Sequence, residues 1–147
     1  MLSLQEMSDR LELQALVVDY ATAIDEQDFD ALDEIFTEDA SIDYTAMGGI
    51  AGNLTEIKQF LTQAMPFFTA FQHLNGNHKL EVTGDTATGK VMCLNPMVVP
   101  VEEGEQVMFL GLWYIDKYRR TKDGWRISER REEKSFAHNT PAFMLPK

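Results

Sequence analysis

The sequence contains little cysteine and no long apolar run, and each shortage excludes a class of protein. Its one cysteine, Cys93, cannot form an intrachain disulfide, and the apolar residues around it favour a buried, unreactive thiol. No apolar stretch approaches the length of a membrane-spanning helix, and no apolar signal core follows the N-terminus, where an acidic residue stands at Glu6. We therefore expect a soluble, cytoplasmic protein.

Positive charge is also scarce. The 147 residues include 13 Lys and Arg against 24 Asp and Glu, which gives a formal net charge of −11. A chain of this charge repels phosphate backbones and anionic lipids, so we expect neither nucleic acid nor membranes as partners. The acidic residues from Glu26 to Asp43 alternate with apolar ones. This pattern favours a solvated face over a metal site.

Motifs for cofactors, metals and serine hydrolysis are missing. The three histidines are widely spaced and have no nearby cluster of Cys, His or Asp, so there is no zinc pattern. The glycine-rich segment 47–52 lacks the lysine of a phosphate-binding loop, and no Gly-x-Ser-x-Gly elbow occurs. We therefore expect no metal and no cofactor.

Two arginine pairs are interpreted as exposed surface charges. Arg119–Arg120 and Arg130–Arg131 stand among acidic residues of the same region, namely Glu129, Glu132 and Glu133. Exposed ion pairs of this kind contribute little to stability. We therefore assign them no functional role from the sequence.

The first part of the chain predicts helices. Hydrophobic residues make up 44% of the sequence, too many for a disordered chain, and the length fits one domain over residues 1–147. Ser3 and Glu6 have capping-box spacing and begin a helix. Its apolar stripe has helical periodicity and comprises Leu13, Leu16, Val17, Tyr20 and Ile24. A short second helix is predicted over 29–36, and a third from Asn53, ended by Pro66.

The rest of the chain predicts an antiparallel sheet. Alternation over Ala40–Tyr44 indicates a short strand with Ala40, Ile42 and Tyr44 on one face. Four longer strands are predicted over 67–82, 86–99, 106–120 and 125–136, the first of them bent near Asn75–Asn77. Asp123-Gly124 is a strong hairpin signal between the last two strands. Helices before a meander of strands indicate an α+β fold, in which a cleft between helices and sheet suits a small ligand.

Asp25 and His73 are the main candidates for chemistry. Asp25 ends the first helix, and His73 lies in an apolar segment, where on a regular strand it shares a face with Phe71 and Asn75. A carboxylate that holds one imidazole nitrogen leaves the other free to move protons. Each residue also has a structural interpretation, since buried histidines often bond to a backbone carbonyl and helix-terminal acids make local hydrogen bonds.

Three tyrosines are secondary candidates. Tyr44 and Tyr114 are predicted on apolar strand faces, and Tyr20 on the apolar face of the first helix. Such side chains usually belong to the core. If they line a cleft, their hydroxyl groups are suited to polarising a substrate carbonyl. Of the other histidines, His78 is expected to be exposed in the polar bend, and His138 has no evident partner.

The order of these features resembles the SnoaL-like branch of the nuclear-transport-factor-2-like superfamily, especially proteins grouped with scytalone dehydratase. The resemblance covers nearly the whole chain and is carried by four segments, 24–36, 37–44, 71–76 and 118–127. It implies a cone-shaped α+β barrel, in which a strongly curved, mixed but mainly antiparallel sheet packs on three N-terminal helices around an internal pocket.

The resemblance also implies a site. In scytalone dehydratase and in the related hexachlorocyclohexane dehydrochlorinase, an aspartate and a histidine pair at the positions of Asp25 and His73, and the dehydratase has a tyrosine at Tyr44. Several substrate-contacting positions differ from the family pattern. The dehydratase has a second tyrosine where this chain has Ile24, a second histidine near Val91 or Met92, and a serine and an asparagine near Leu112 and Tyr114. The dehydrochlorinase has a lysine at the position of Tyr20.

These inferences predict a small cofactor-independent lyase or isomerase. His73 would move a proton, Asp25 would hold its tautomer, and Tyr44 would polarise a carbonyl or assist a leaving hydroxyl. The expected substrate is an apolar hydroxyketone, an aromatic or a polyketide-like molecule, contacted by Tyr20, Ile24, Met92, Leu112 and Tyr114. The alternatives are a non-catalytic binding protein for an apolar ligand and a structural member of the superfamily. A homo-oligomer, trimer or dimer, is expected from the apolar strand faces and tail.

Overall fold

Helix α1 begins and ends where the sequence predicts it. In the computed structural model, which describes residues 1–146, α1 spans Leu4–Asp25. Ser3 and Glu6 form the predicted capping box, and the apolar stripe is buried. Helix α2 spans Leu54–Ala64 and begins with a second capping box, formed by Asn53 and Glu56. Pro66 follows in a 3₁₀ turn.

The predicted second helix is only a short 3₁₀ segment, Phe29–Glu34. Asp28 precedes it without a capping hydrogen bond from its side chain. Six residues with no cap do not support a regular α-helix. Phe36, which was assigned to this helix, instead begins the first strand.

Over residues 1–146 one mixed sheet of seven strands forms the other layer. Its strands are β1 Phe36–Asp43, β2 Ala51–Gly52, β3 Ala70–Phe71, β4 Leu74–Thr83, β5 Thr86–Val101, β6 Gly104–Thr121 and β7 Gly124–His138. The order is β2-β1-β7-β6-β5-β3, with β4 also paired to β5. The β1–β7 pair is parallel and the other pairs are antiparallel. This confirms the predicted α+β class.

The sheet is strongly curled but does not close. Within the described chain, β2 and β3 end the strand order and do not pair with each other. The expected barrel is therefore an open, curled sheet. Helix α1 packs against β4 and β7, and α2 packs against β1. The core lies between these helices and the concave face of the sheet, and one end of this space is left unfilled.

A bulge in β7 determines which of its side chains face the core. Tyr118 pairs with Ile127, but the next residue back along β6, Lys117, pairs with Glu129, so Ser128 is an extra residue. Before the bulge, Trp125 and Ile127 face inward. After it the alternation is reversed, and Arg130 is fully buried.

The bend predicted near Asn75–Asn77, in the strand expected over 67–82, is confirmed. The β4–β5 register shifts between Gly76 and Lys79, and Asn77 has a φ of 46°. This segment is also broken earlier, between β3 and β4. His73 lies in that break and not on a regular strand. His78 is half-buried, not exposed as expected, and its Nε2 has no hydrogen-bond partner among the described residues.

The outer face of the sheet carries exposed apolar side chains, among them Leu74, Met92, Phe109 and Phe136. The homo-oligomer stays a prediction. No helix within residues 1–146 is both long and apolar enough to cross a bilayer.

Candidate active site

Asp25 and His73 are joined by two hydrogen bonds. The Nδ1 atom of His73 lies 2.6 Å from Asp25 Oδ1, and the backbone N–H of His73 donates to Asp25 Oδ2 over 3.0 Å. An ionised carboxylate only accepts hydrogen bonds, so in the neutral imidazole Nδ1 carries the ring proton and Nε2 keeps its lone pair. The side chain of His73 is only 7% exposed, whereas that of Asp25 is 27% exposed. The arrangement holds a histidine with one basic nitrogen.

His73 lines a cavity of about 410 Å³ between the helices and the concave face of the sheet. Most of the wall is aromatic or thioether, including Phe60, Phe67, Phe68, Met65, Met97 and Met108. Six polar side chains interrupt this apolar wall, and they belong to Tyr20, Tyr44, His73, Asn95, Tyr114 and Glu132. A largely apolar hollow with a few polar groups is the usual form of a small-molecule site.

The three tyrosines form one cluster at this wall. The hydroxyl groups of Tyr20 and Tyr44 lie 2.5 Å apart, and the rings of Tyr20 and Tyr114 meet edge to face with centroids 5.6 Å apart. Burial raises the pKa of Tyr20 to about 12, and it raises the pKa values of Tyr44 and Tyr114 well above their ordinary value. All three therefore remain neutral O–H groups near pH 7.

A buried ion pair packs against the tyrosine cluster. The prediction that Arg130 is an exposed surface charge is therefore wrong. Arg130 and Asp116 are both completely buried and are joined by two hydrogen bonds of 2.8 Å. The guanidinium lies 4.3 Å from the ring centroid of Tyr20 and 3.9 Å from that of Tyr114. A cation over an aromatic face is attracted by the ring quadrupole. Arg130 thus fixes both rings.

Arg120 is not a free surface charge either. Its guanidinium donates to both carboxylate oxygens of Asp9, over 2.9 and 3.0 Å, and lies 4.5 Å from the ring centroid of Trp125. Trp125 Nε1 donates to the same carboxylate. This group ties α1 to the last hairpin and lies away from the cavity.

Glu132 is a cavity residue that the sequence did not indicate. It is paired across the strands with Tyr114 and lines the same cavity as His73. Burial raises the pKa of Glu132 to about 8, although the charge of Arg130 acts against this shift. Glu132 therefore carries its proton at pH 7 and is a hydrogen-bond donor. The β7 bulge that turns it inward has no clear signal in the sequence.

The structure separates the predicted site residues into two groups. Tyr20, Ile24, Tyr44 and Tyr114 line the cavity together with His73, and Asp25 stands behind the imidazole. Their roles stay predictions.

Met92 and Leu112, which were expected to contact substrate, are not among the lining residues. Met92 is 37% exposed on the outer face of β5, because its neighbours Val91 and Cys93 face inward. Leu112 faces inward but is buried in the core. We therefore leave both residues out of the site proposed below.

Comparison with known proteins shows the family to which the chain belongs. The description of that family is "SnoaL-like domain", and its sequence profile matches residues 5–131. An uncharacterized protein of Mycobacterium tuberculosis is 53% identical over 136 residues, which cover 92% of this chain and 92% of the relative. A protein of Mycobacterium bovis matches to the same extent.

Three solved structures have the same fold. A proposed aromatic ring hydroxylase from Novosphingobium aromaticivorans is 27% identical, with a TM-score of 0.81 over 91% of this chain and 94% of its own. A proposed scytalone dehydratase from the same organism is 19% identical, with a TM-score of 0.80 over 92% and 90%. A hexachlorocyclohexane dehydrochlorinase from Novosphingobium barchaimii is 20% identical, with a TM-score of 0.77 over 96% and 97%. At these identities the last two show the fold alone.

Proposed function

The chain is a member of the SnoaL-like domain family, and from that premise we propose that it is a small cofactor-independent lyase or isomerase. The substrate is an apolar hydroxyketone, aromatic or polyketide-like molecule held in the cavity that His73 lines. The observation that carries the proposal is the Asp25–His73 pair, which leaves one basic nitrogen in an apolar hollow. A positioned base of this kind can catalyse both dehydration and double-bond migration.

His73 is the proposed base. Its Nε2 takes a proton from a carbon next to the substrate carbonyl, and the imidazolium that forms is stabilised by the carboxylate of Asp25. The second hydrogen bond, from the backbone N–H of His73 to Asp25, holds the carboxylate in place beside the ring. The imidazolium then returns its proton to another carbon in an isomerisation.

Tyr44 and Glu132 are the proposed stabilisers of negative charge. When a proton leaves the carbon, the carbonyl oxygen gains charge, and neutral O–H donors in a dry cavity stabilise that oxygen strongly. The hydroxyl groups of Tyr44 and Tyr20 are hydrogen-bonded to each other, and Glu132 on β7 is paired with Tyr114 on β6. In a dehydration, Tyr44 stabilises that oxygen alone, and the protonated Glu132 gives its proton to the departing hydroxyl group, so that water leaves. The imidazolium of His73 then gives up its proton and the Glu132 carboxylate regains one.

The expected rate effects suit an activated substrate. Positioned proton transfer contributes roughly 10²–10⁴-fold, and each donor to an oxyanion adds about 10²–10³-fold. Together these factors are adequate for a carbon already made acidic by a neighbouring carbonyl. They are inadequate for an unactivated C–H bond.

The neighbours support the class of reaction and of ligand. Two similar structures belong to a proposed dehydratase and to a dehydrochlorinase, and both names describe eliminations. Two names refer to ring compounds, an aromatic ring and hexachlorocyclohexane. We carry over to this chain only the common features, which are elimination and a small ring substrate.

A non-catalytic binding protein is the second candidate. The apolar aromatic and methionine wall favours it, because such a wall binds ring compounds without any chemistry. Under this alternative, changes at His73 alter binding but no compound is converted.

A screen of hydroxyketones and polyketide-like compounds distinguishes the two candidates. We expect at least one compound to be converted by the wild type and to be converted about 10²–10⁴-fold more slowly by His73→Gln. His138→Gln is the matched control, because His138 is exposed at the end of β7 and outside the cavity. Equal conversion by wild type and His73→Gln rejects His73 as the base. Binding of the compounds without conversion by the wild type favours the binding protein.

A further inference from the structure

Asn95 has a buried polar group that no residue of the described chain satisfies. It lies on β5, is only 6% exposed, and lines the cavity. Its Oδ1 is buried and has no hydrogen-bond partner among residues 1–146. Buried side-chain amides are normally paired, because an unpaired one loses its hydration without compensation. An amide oxygen left unpaired at a cavity wall is available to a ligand group that donates a hydrogen bond.

The pairing of the strands puts Asn95 beside His73. Phe71 pairs with Met97 and Leu74 pairs with Leu94, so the register is the same on both sides of the break that holds His73. That register sets His73 opposite Asn95. Both side chains line the cavity. A molecule that places a carbon at the imidazole therefore places its neighbouring atoms at the amide.

The other neighbours of Asn95 do not provide a partner. On β6 it is paired with Leu110, and along the inward face of β5 it stands between Cys93 and Met97. Leu110 has no polar group, and the thiol and thioether are weak hydrogen-bond partners. The unpaired amide is thus enclosed by apolar and sulfur-containing side chains and by the imidazole.

The charges at the cavity select against an ionic ligand. Arg130 is not a lining residue; its Nε and Nη2 are bonded to Asp116, and its buried Nη1 has no partner among the described residues. The Asp25 carboxylate is bonded to His73. The remaining polar groups of the wall are neutral hydroxyl, amide and carboxylic acid groups at pH 7. Apart from His73, whose Nδ1 is bonded to Asp25, no lining residue offers a cation to a carboxylate or phosphate.

We propose that Asn95 determines specificity by accepting, at Oδ1, a hydrogen bond from a hydroxyl group on a neutral ring compound, next to the carbon that faces His73. This inference rests on the proposed function for the part played by His73. It narrows the substrate class to uncharged ring compounds that carry such a hydroxyl group. An analogue of the same shape without the oxygen leaves the amide unpaired, and sites of this kind reject such analogues.

The test compares two probes of nearly the same shape, 2-naphthol and 2-methylnaphthalene, whose affinities are measured by calorimetric titration. For the wild type we expect 2-naphthol to bind about tenfold more tightly, the ratio given by one net hydrogen bond. In Asn95→Leu, which has a similar size and no polar group, we expect the ratio to fall to about one. Asn95→Ala repeats the comparison if Asn95→Leu does not fold, as judged by thermal melting.

Met97→Leu is the matched control, since Met97 is the next inward-facing residue of the same strand and also lines the cavity. It is expected to change both affinities together and to leave their ratio intact. Equal affinities in the wild type, a ratio that survives in Asn95→Leu, or no binding of either probe overturns the proposal. This test measures binding, whereas the test of the proposed function measures conversion by His73. Either proposal can therefore fail while the other is supported.

Discussion

Both oxygens of the Asp25 carboxylate are bonded to one residue, His73, which lies 48 positions further along the chain. One oxygen accepts the ring Nδ1–H and the other accepts the backbone N–H. The second bond fixes the chain at the point where β3 ends and β4 has not yet begun. A single helix-terminal acid therefore sets both the tautomer and the position of the imidazole.

Asp25→Asn is expected to lower turnover about 10²–10⁴-fold with little loss of stability. The amide of asparagine can donate to Nδ1, which favours the ring tautomer with its proton on Nε2 and removes the basic nitrogen from the cavity. Nitrogen-15 spectra of the imidazole test this directly and need no substrate. Asp19→Asn, an exposed acid of the same helix, is the control. An unchanged tautomer in Asp25→Asn contradicts the positioning role.

Glu132→Gln is expected to change how stability depends on pH. Glutamate has an ordinary pKa of 4.5, and burial raises the pKa of Glu132 to about 8. Between these values the folded protein binds more protons than the unfolded chain, so rising pH lowers the free energy of unfolding, by at most about 1.4 kcal/mol per pH unit for one group. Above pH 8 the loss is complete.

Urea unfolding at pH 5, 6, 7 and 8 measures this effect. We expect a shallower decline for Glu132→Gln than for the wild type. Glu133→Gln is the matched control, because Glu133 is the next residue of the strand and its side chain is 46% exposed. Parallel curves for the wild type and Glu132→Gln would show that Glu132 is ionised in the folded protein.

Arg130→Met is expected to destabilise the protein by about 3–5 kcal/mol, because it leaves the carboxylate of Asp116 buried without its partner. The double variant Arg130→Met/Asp116→Leu should recover most of that loss, since it removes both charges. Arg119→Met removes an exposed pair with Asp39 and should leave stability almost unchanged. Chemical denaturation of the four proteins measures the differences. A double variant less stable than Arg130→Met contradicts the assignment.

Asp9→Asn is expected to lower the stability of the protein at neutral pH. It is also expected to make stability depend less on pH in the acid range. Hydrogen bonds from Arg120 are the main cause that lowers the pKa of Asp9 from 3.8 to about 2. The stability that this carboxylate contributes is complete above pH 3.8 and is lost as pH falls towards 2. Removing its charged hydrogen bonds costs about 1–3 kcal/mol at pH 7. Thermal melting between pH 2 and 7, with Asp19→Asn as control, tests both effects.

Local signals predicted much of the fold. The capping box of Ser3 and Glu6, the helix start at Asn53 and the turn at Asp123-Gly124 are confirmed, because each depends on residues within four positions of one another. Alternation also predicted the inward face of β1, where Ala40 and Ile42 are buried. The helix expected over 29–36 was wrong in type and in its end, since six uncapped residues take their conformation from their tertiary contacts.

The site was less accessible to sequence reasoning. Arginine is seldom fully buried unless it is paired, and the partner of Arg130 lies 14 residues away on the neighbouring strand. Glu132 and Asn95 were missed because their environment depends on strand parity, which a one-residue shift reverses. The same parity excludes Met92 from the cavity and turns Val91 inward. Alignment with a family locates such positions only to within a residue, and that is too coarse to say which way a strand residue points.

The extra residue at Ser128 has a consequence for how this cavity changes during evolution. Loss of the codon for Ser128 itself would leave Arg130 and Glu132 facing inward, because the shortened strand would alternate without a break. Loss of the codon for Arg131 would instead turn Glu132 to the solvent side and bring Glu133 inside, provided that the bulge is kept. Relatives that lack one residue between the arginine and the acid can therefore differ in chemistry while their sequences remain otherwise alike.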